Sequence, residues 1–330
     1  MIKVYSAADK SFQTVEPHES HTLPEGTVWV DLNQPSSLEE AWLEKELGLK
    51  IPTREDMDEI EPSSRLYQDG ATTTMTATLL WKSDSDIPDT TNVSFLLNKG
   101  VLVTVRYAEP KPFAMCQMHA LQAPELYASG ALMMVGLLEA VVDRTADVLE
   151  KVSAQVHGIS RSISERRRRE HDARRSSMEL EVLMNDVVFN QNVATQIRVS
   201  LVSLGRMVAF MPVAKEFQAR GDREDLKERM ASLAHDIQSL TDHTGFLNDT
   251  TGFLLNAALG FINIEQNAII KIFSIAAVVF LPPTLIASIY GMNFKYMPEL
   301  DWGQGYLVAL FLMILSGVLP YLWFKRRGWM

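Results

Sequence analysis

Asn267, Ile270, Ser274, Ala277, Leu281, Thr284, Ser288 and Gly291 recur at steps of three and four near the C-terminus of this 330-residue chain. Continued as a helix, that spacing puts them on one stripe. Ile272, Ile275, Val279, Phe280 and Ile286 lie elsewhere on the same helix. Polar oxygens within an apolar helix are costly against lipid, so the stripe should face protein or water. Two chemistries fit. Several copies gathered around an axis would line a pore with hydroxyls, an amide, and apolar rings at Ile270 and Leu281 that can gate by dewetting. Alternatively, small and polar residues serve close contact between membrane helices. The periodicity leaves both open.

The stripe ends at Tyr290-Gly291-Met292-Asn293. Gly291 lets backbones approach closely, and Asn293 offers an amide oxygen. A ring of neutral oxygens suits a hard cation that keeps its water, as Mg²⁺ does. Neutral ligands also let the ion leave again. Glu299 and Asp301 follow and would add negative potential that concentrates cations.

Two apolar runs position these residues. Ile272–Tyr290 and Tyr306–Phe324 each have 19 residues and no formal charge. At ~1.5 Å per helical residue each spans a hydrocarbon layer of roughly 30 Å. They read as a transmembrane hairpin with residues 291–305 as its loop. Lys271 precedes the first run, and Lys325, Arg326 and Arg327 follow the second, whereas the loop has one basic residue, Lys295. This bias places both termini in the cytoplasm and the loop outside. The start Met1-Ile2-Lys3-Val4-Tyr5 has no apolar signal-type segment. A single cysteine, Cys116, cannot form an intrachain disulfide, which fits a reducing compartment. The net charge of −10 argues against nucleic acid and for tolerance of cations.

Residues 1–125 read as a mixed α/β domain with strands at Lys3–Tyr5, Thr27–Val30, Thr73–Trp81, Val93–Leu97 and Val101–Val105. Asn98-Lys99-Gly100 is a hairpin turn. Ser36 and Thr53 each precede early acidic residues, as helix caps do. Residues 126–221 form a helical hairpin region whose arginine-rich tip, 161–175, reads as a solvated helix face or an anion-binding patch. A helix then runs from 222 to 290. Leu226, Met230, Leu233, Ile237, Leu240, Thr244, Leu247, Thr251, Leu254, Ala258 and Phe261 keep a 3.5-residue period along it. Other copies of the same chain are the expected cover for that seam. The fold class expected is an α+β cytoplasmic domain, a very long stalk helix, and a two-helix transmembrane hairpin with a basic tail at 325–330.

Tyr290-Gly291-Met292-Asn293-Phe294 with Met297-Pro298-Glu299-Leu300 resembles the signature of CorA magnesium transporters. The likeness extends through Phe261–Asn267, Lys271–Ser274, Phe280–Thr284 and the terminal Phe324–Trp329, and looks like the enteric-type branch. Pro52–Glu61 with Ser63-Ser64-Arg65 is similar to that branch's N-terminal domain. The resemblance implies a funnel-shaped homopentamer in the inner membrane conducting Mg²⁺, and in relatives Co²⁺ and Ni²⁺. It implies that Gly291, Met292 and Asn293 form the selectivity ring, and that Asn267, Ile270, Leu281 and Thr284 line the pore. Phe273 competes with Ser274 for the constriction. It also implies regulation by Mg²⁺ bound between cytoplasmic domains, where Glu55 and Asp56 match the acidic pair. The stalk position where some members carry Asp is Asn256 here, with Asp249 as a possible substitute. Helix capping is the other reading of Glu55 and Asp56.

No cofactor is expected beyond Mg²⁺ as cargo and regulatory ion. A zinc transporter of the same architecture would want His, Cys or carboxylate ligands, and none lies on the stripe. A membrane-anchored coiled-coil scaffold would explain the seam but not the polar stripe. Enzymatic activity is not expected. His18-Glu19-Ser20-His21 lacks helical metal spacing, His235 and His243 read as surface residues, and no phosphate-cradling glycine loop is present.

Overall fold

The structure is a computed structural model that describes the chain except residues 18–21, 84, 86–87, 167–172, 219–222, 294, 296, 299–301 and 329–330. The chain divides into two compact units. The first comprises residues 1–168 and 184–255, and the second comprises residues 169–183 and 256–330.

The first unit is built on seven strands: β1 (Ile2–Ser6), β2 (Ser11–Val15), β3 (Thr27–Asn33), β4 (Leu66–Asp69), β5 (Thr72–Trp81), β6 (Asp89–Asn98) and β7 (Val101–Arg106). Their order is β2-β1-β3-β7-β6-β5-β4, with β3 parallel to β7 and the other pairs antiparallel. The β6–β7 turn has Lys99 at φ 49° and Gly100 at φ 84°, the left-handed conformations of a tight hairpin. The helices α1 (Ser37–Leu47), α2 (Arg54–Asp58) and α3 (Pro62–Arg65) follow β3. Both α1 and α2 start with a capping box, Ser36 with Glu39 and Thr53 with Asp56. Leu43 of α1 and Met57 of α2 join Val30, Leu32, Leu96 and Val103 in one buried cluster.

The helices α4 (Lys111–Gln122) and α5 (Gly130–Arg166) follow the sheet. The backbone at Gly130 touches the β6–β7 hairpin, where a Cβ would lie 2.5 Å from the Gly100 carbonyl oxygen. Inside this unit Arg106 holds β7 to β3. Its Nη2 donates to Asp31 Oδ2 at 2.8 Å, its Nε to Oδ1 at 3.0 Å, and its Nη1 to the Ala108 carbonyl at 2.7 Å. Thr104 Oγ1 also donates to Asp31, and Trp29 Nε1 donates to Thr104. Every charge in this buried network is paired.

The remaining helices are α6 (Ala173–Phe210), α7 (Arg223–Tyr290) and α8 (Gly305–Arg326). At 68 residues α7 measures about 100 Å. Its seam corrects the expectation that other copies must cover it. Leu226, Leu233, Ile237, Thr244, Leu247, Thr251 and Leu254 are already buried within one chain. In the first unit, a Cβ at Gly205 of α6 would lie 3.5 Å from Ile237, and Arg229 of α7 pairs with Glu139 of α5 at 2.6 Å. The period marks lengthwise helix contact, and the chain's own helices supply it.

Three segments are long and apolar enough to cross a membrane by length and composition: Leu180–Val213, most of α7, and α8. In the first, 44% of the apolar window is buried, against 6% in α7 and 11% in α8. Leu180–Val213 therefore keeps more of its apolar surface inside the protein than either of the others. The apolar windows of α7 and α8 present theirs outward, as lipid-facing helices do.

Replacing Arg106 with Met should strand the Asp31 carboxylate in the core. The expected loss is about 3–5 kcal/mol in denaturant unfolding of the detergent-solubilised protein. A loss under about 1 kcal/mol would show that the network is not what ties β7 to β3.

Candidate functional site

Within the second unit α7 and α8 form an antiparallel hairpin with one face each turned inward. On α8 the covered positions are Ala309, Met313, Ser316, Gly317, Pro320 and Phe324. On α7 they are Ile275, Ala276, Val279, Pro282, Pro283 and Ile286. The contact is closest at Gly317, where a Cβ would lie 3.3 Å from the Val279 carbonyl oxygen and 3.4 Å from Pro283 Cγ. Proline 283 has no N–H to give that carbonyl, so Val279 is the acceptor left free by the proline. A glycine on α8 lets the partner helix close over it. The helix runs unbroken through Pro282 and Pro283.

The polar stripe lies on the other side. Asn267, Ile270, Ser274, Ala277, Leu281, Thr284, Ser288 and Gly291 are all exposed in the single chain. At about 100° per residue, the mean direction of this stripe is roughly 180° from the face covered by α8. One hairpin therefore cannot cover it. Thr284 Oγ1 donates to the Phe280 carbonyl at 2.7 Å, which satisfies its proton and leaves its oxygen lone pairs outward. Phe273, at 72% exposure, lies on the edge of the stripe next to Ser274.

At the far end the last helical turn continues past Tyr290. Gly291 N–H donates to Ala287 at 2.9 Å and Met292 N–H to Ile289 at 3.2 Å. A Cβ on Gly291 would meet the Ala287 carbonyl oxygen of its own helix at 3.1 Å, so a side chain there would crowd the last turn. Met292 and Asn293 are exposed. The negative end of the α7 dipole points at this segment, and it favours a cation there. Glu299 and Asp301 lie outside the described residues, as do Phe294 and Leu300 of the signature.

The acidic candidates Glu55, Asp56 and Asp249 belong to the first unit. Glu55 and Asp56 sit exposed at the start of α2. Asp56 Oδ2 accepts from the Thr53 N–H at 2.9 Å, and Thr53 Oγ1 accepts from the Asp56 N–H at 3.2 Å. These bonds, the backbone one foremost, hold the Asp56 carboxyl below its usual range. Asp56 thus has a capping role whatever else it does, and Glu55 has none. Asp249 and Asn256 are exposed on α7. Among the described residues of one chain, no three His, Cys, Asp or Glu side chains gather as a metal site. His235 and His243 are exposed, and His243 stacks on Phe246. His18–His21 and residues 167–172 of the arginine-rich tip lie outside the described residues.

A family model for "CorA-like Mg2+ transporter protein" matches residues 24–326. The chain is 35% identical over 330 residues to a "Magnesium transport protein CorA" of Salmonella typhimurium, and covers all of both chains. A protein of the same name from Escherichia coli K12 is 34% identical over the same length. The fold is similar to the complete structure of a CorA magnesium transporter from Methanocaldococcus jannaschii, with a TM-score of 0.73 at 18% identity, covering 100% of this chain and 98% of that one.

A leucine in place of Gly317 should wedge α8 away from Val279 and Pro283. The expected cost is about 1–3 kcal/mol, read as a lowered melting temperature of the detergent-solubilised protein. An unchanged melting temperature would mean that the two helices do not meet there.

Proposed function

The chain belongs to the CorA-like family of Mg²⁺ transporters, and from that premise we propose that it carries Mg²⁺ into the cell through a channel made by several copies. The observation that carries this reading is the uncharged polar stripe of α7, exposed opposite the face covered by α8 and ending at Gly291-Met292-Asn293. In a bilayer such a stripe must meet protein or water, and identical stripes around an axis meet each other.

In this reading the copies form a pentamer in the inner membrane, with both termini cytoplasmic and the Gly-Met-Asn segment outside. Asn293 side-chain oxygens, with the close backbones at Gly291, form a ring that holds a hydrated divalent ion. Mg²⁺ keeps most of its water, so ligation through water costs less than stripping it. Glu299 and Asp301 raise the local cation concentration. Below the ring, Thr284, Ser288, Ala277 and Ser274 give a narrow wall with few charges to trap the ion. Leu281, Ile270 and Phe273 are apolar constrictions where a closed pore would dry, and Asn267 marks the cytoplasmic exit. Inward movement of Mg²⁺ gains roughly 4.6 kcal/mol per 100 mV, at about 2.3 per charge, so the membrane potential suffices as the driving force. Co²⁺ and Ni²⁺ share the charge and a preference for oxygen and water, and would use the same path. A zinc path would call for His, Cys or carboxylate ligands that the stripe lacks.

Regulation follows the same chemistry. Glu55 and Asp56 of one copy, facing Asp249 of the next, would bind intracellular Mg²⁺ and hold the closed state. Differential binding to that state is what shifts the population.

Two measurements test these readings. Mg²⁺ uptake into proteoliposomes under a negative-inside potential should depend on that potential and fall at least tenfold in Asn293→Ala. Equal flux in the variant would remove the ring. Glu55→Gln combined with Asp56→Asn keeps an acceptor at the α2 cap while removing the charge. It should raise uptake at high internal Mg²⁺, and unchanged inhibition would leave these two acids with no part in gating.

A further inference from the structure

A cavity of about 430 Å³ opens in the first unit between α6 and the β4–β5 edge of the sheet. Its α6 wall is Thr195, Arg198, Val199, Val202, Ser203 and Arg206. These steps of three, four and seven put one helical face on the cavity. The opposite wall includes Ile60, Pro62, Arg65, Leu66, Thr76 and Thr78. Three of the lining residues are arginines and none is acidic, in a chain whose net charge is −10.

The donors around the cavity are unequally spent. Arg65 is anchored: Nε donates to Glu59 O at 2.6 Å, Nη2 to Met57 O at 3.3 Å and Asn92 Oδ1 at 3.1 Å, and Nη1 to Thr78 Oγ1 at 3.0 Å. Four of its five N–H groups are used and one remains. Asp58 lies near it but accepts from Asn92 Nδ2 at 2.9 Å. Burial and the nearby charge of Arg206 both disfavour the Arg65 cation, against the pull of Asp58. Ser203 Oγ accepts from the Thr78 N–H at 2.9 Å, so its own proton is not committed by that bond. Among the described residues Arg198 and Arg206 have no hydrogen-bond or ion-pair partner. Asp58 offsets part of the Arg65 charge, and the like charges of Arg198 and Arg206 are eased when an anion arrives. Guanidinium forks match phosphate oxygens in geometry and charge. The exposed apolar side chains Ile60 (87%), Val199 (49%) and Val202 (38%) stand beside the arginines. They offer a surface to an uncharged ring or chain. The volume falls within the usual range for small-molecule sites.

We propose that this cavity binds a phosphorylated small molecule of nucleotide size. Arg198 and Arg206 take the phosphate oxygens, with the spare Arg65 N–H and the Ser203 hydroxyl as further donors. The uncharged part lies on Ile60, Val199 and Val202. The site belongs to the first unit alone and does not rest on the transport reading.

Calorimetric titration of the full-length, detergent-solubilised oligomer in Mg²⁺-free buffer tests it, with ATP and inorganic phosphate as probes. ATP should bind saturably and at least tenfold tighter than phosphate, and more weakly as salt is raised. Arg198→Gln with Arg206→Gln should weaken ATP at least tenfold. Both side chains are exposed, so the melting temperature without ligand should stay unchanged. Equal binding of ATP and phosphate would remove the apolar wall from the site. Unaltered ATP binding in the double variant, or no binding to the assembled protein, would overturn the proposal.

Discussion

A helix that carries asparagine, serine and threonine on one side must find something other than hydrocarbon for that side. This constraint organises the membrane end of the molecule. The α7 span has two opposed faces of different character. One is apolar and covered by α8, closing tightly at Gly317 against Val279 and Pro283. The other is small and polar and stays bare in a single chain. Some of its cost is relieved locally, because Thr284 returns its proton to the Phe280 carbonyl. Asn267 makes no such bond among the described residues. A burial penalty of several kcal/mol for each unsatisfied group then favours assembly over exposure to lipid.

The long helix also shows how one period can serve two purposes. Steps of three and four run from Leu226 to Phe261 and again from Asn267 to Gly291, with a shift of phase between them. Over Leu226–Leu254 they bury the helix in its own chain. From Asn267 the shifted phase presents residues that nothing in the chain covers, while Ile275, Val279, Pro282 and Ile286 continue the first phase under α8. Residue chemistry, leucine and threonine giving way to serine, alanine and glycine, marks the change. The period itself names no partner, which is why the seam reads from sequence as a contact between copies. The partner helices α5 and α6 that cover it are distant in sequence and carry no pattern that names α7.

Local signals were legible where they are set by a few adjacent residues. The boxes at Ser36 and Thr53 and the turn at Lys99-Gly100 depend on neighbours only. Strands β2 and β4 carry no clear sequence signal, because short edge strands such as Ser11–Val15 and Leu66–Asp69 bury little and keep polar residues. Asp56 carries both a capping bond and a family position, so its sequence context could not separate the two roles. The arginine-lined cavity had no linear signature at all. Arg65 lies more than a hundred residues before Arg198 and Arg206, and only the packing of α6 against the sheet edge brings them to one cavity. The arginine-rich segment at 161–175 was the more conspicuous anion-binding candidate in sequence.

The proposed channel requires the bare stripe of α7 to meet itself across an axis in the membrane. The native thiol leaves room for a clean test. Cys116 is buried and its thiol is pushed up to about 12, mainly by desolvation, so it reacts poorly. Single cysteines at Leu281 and Ser288, compared with Leu315 on the outer face of α8, report which surface is shared. In native membranes the two stripe cysteines should cross-link one copy to another and react with a water-soluble thiol reagent, while the Leu315→Cys variant does neither. Cross-linking through position 315 with unreactive, monomeric stripe variants would contradict the claim.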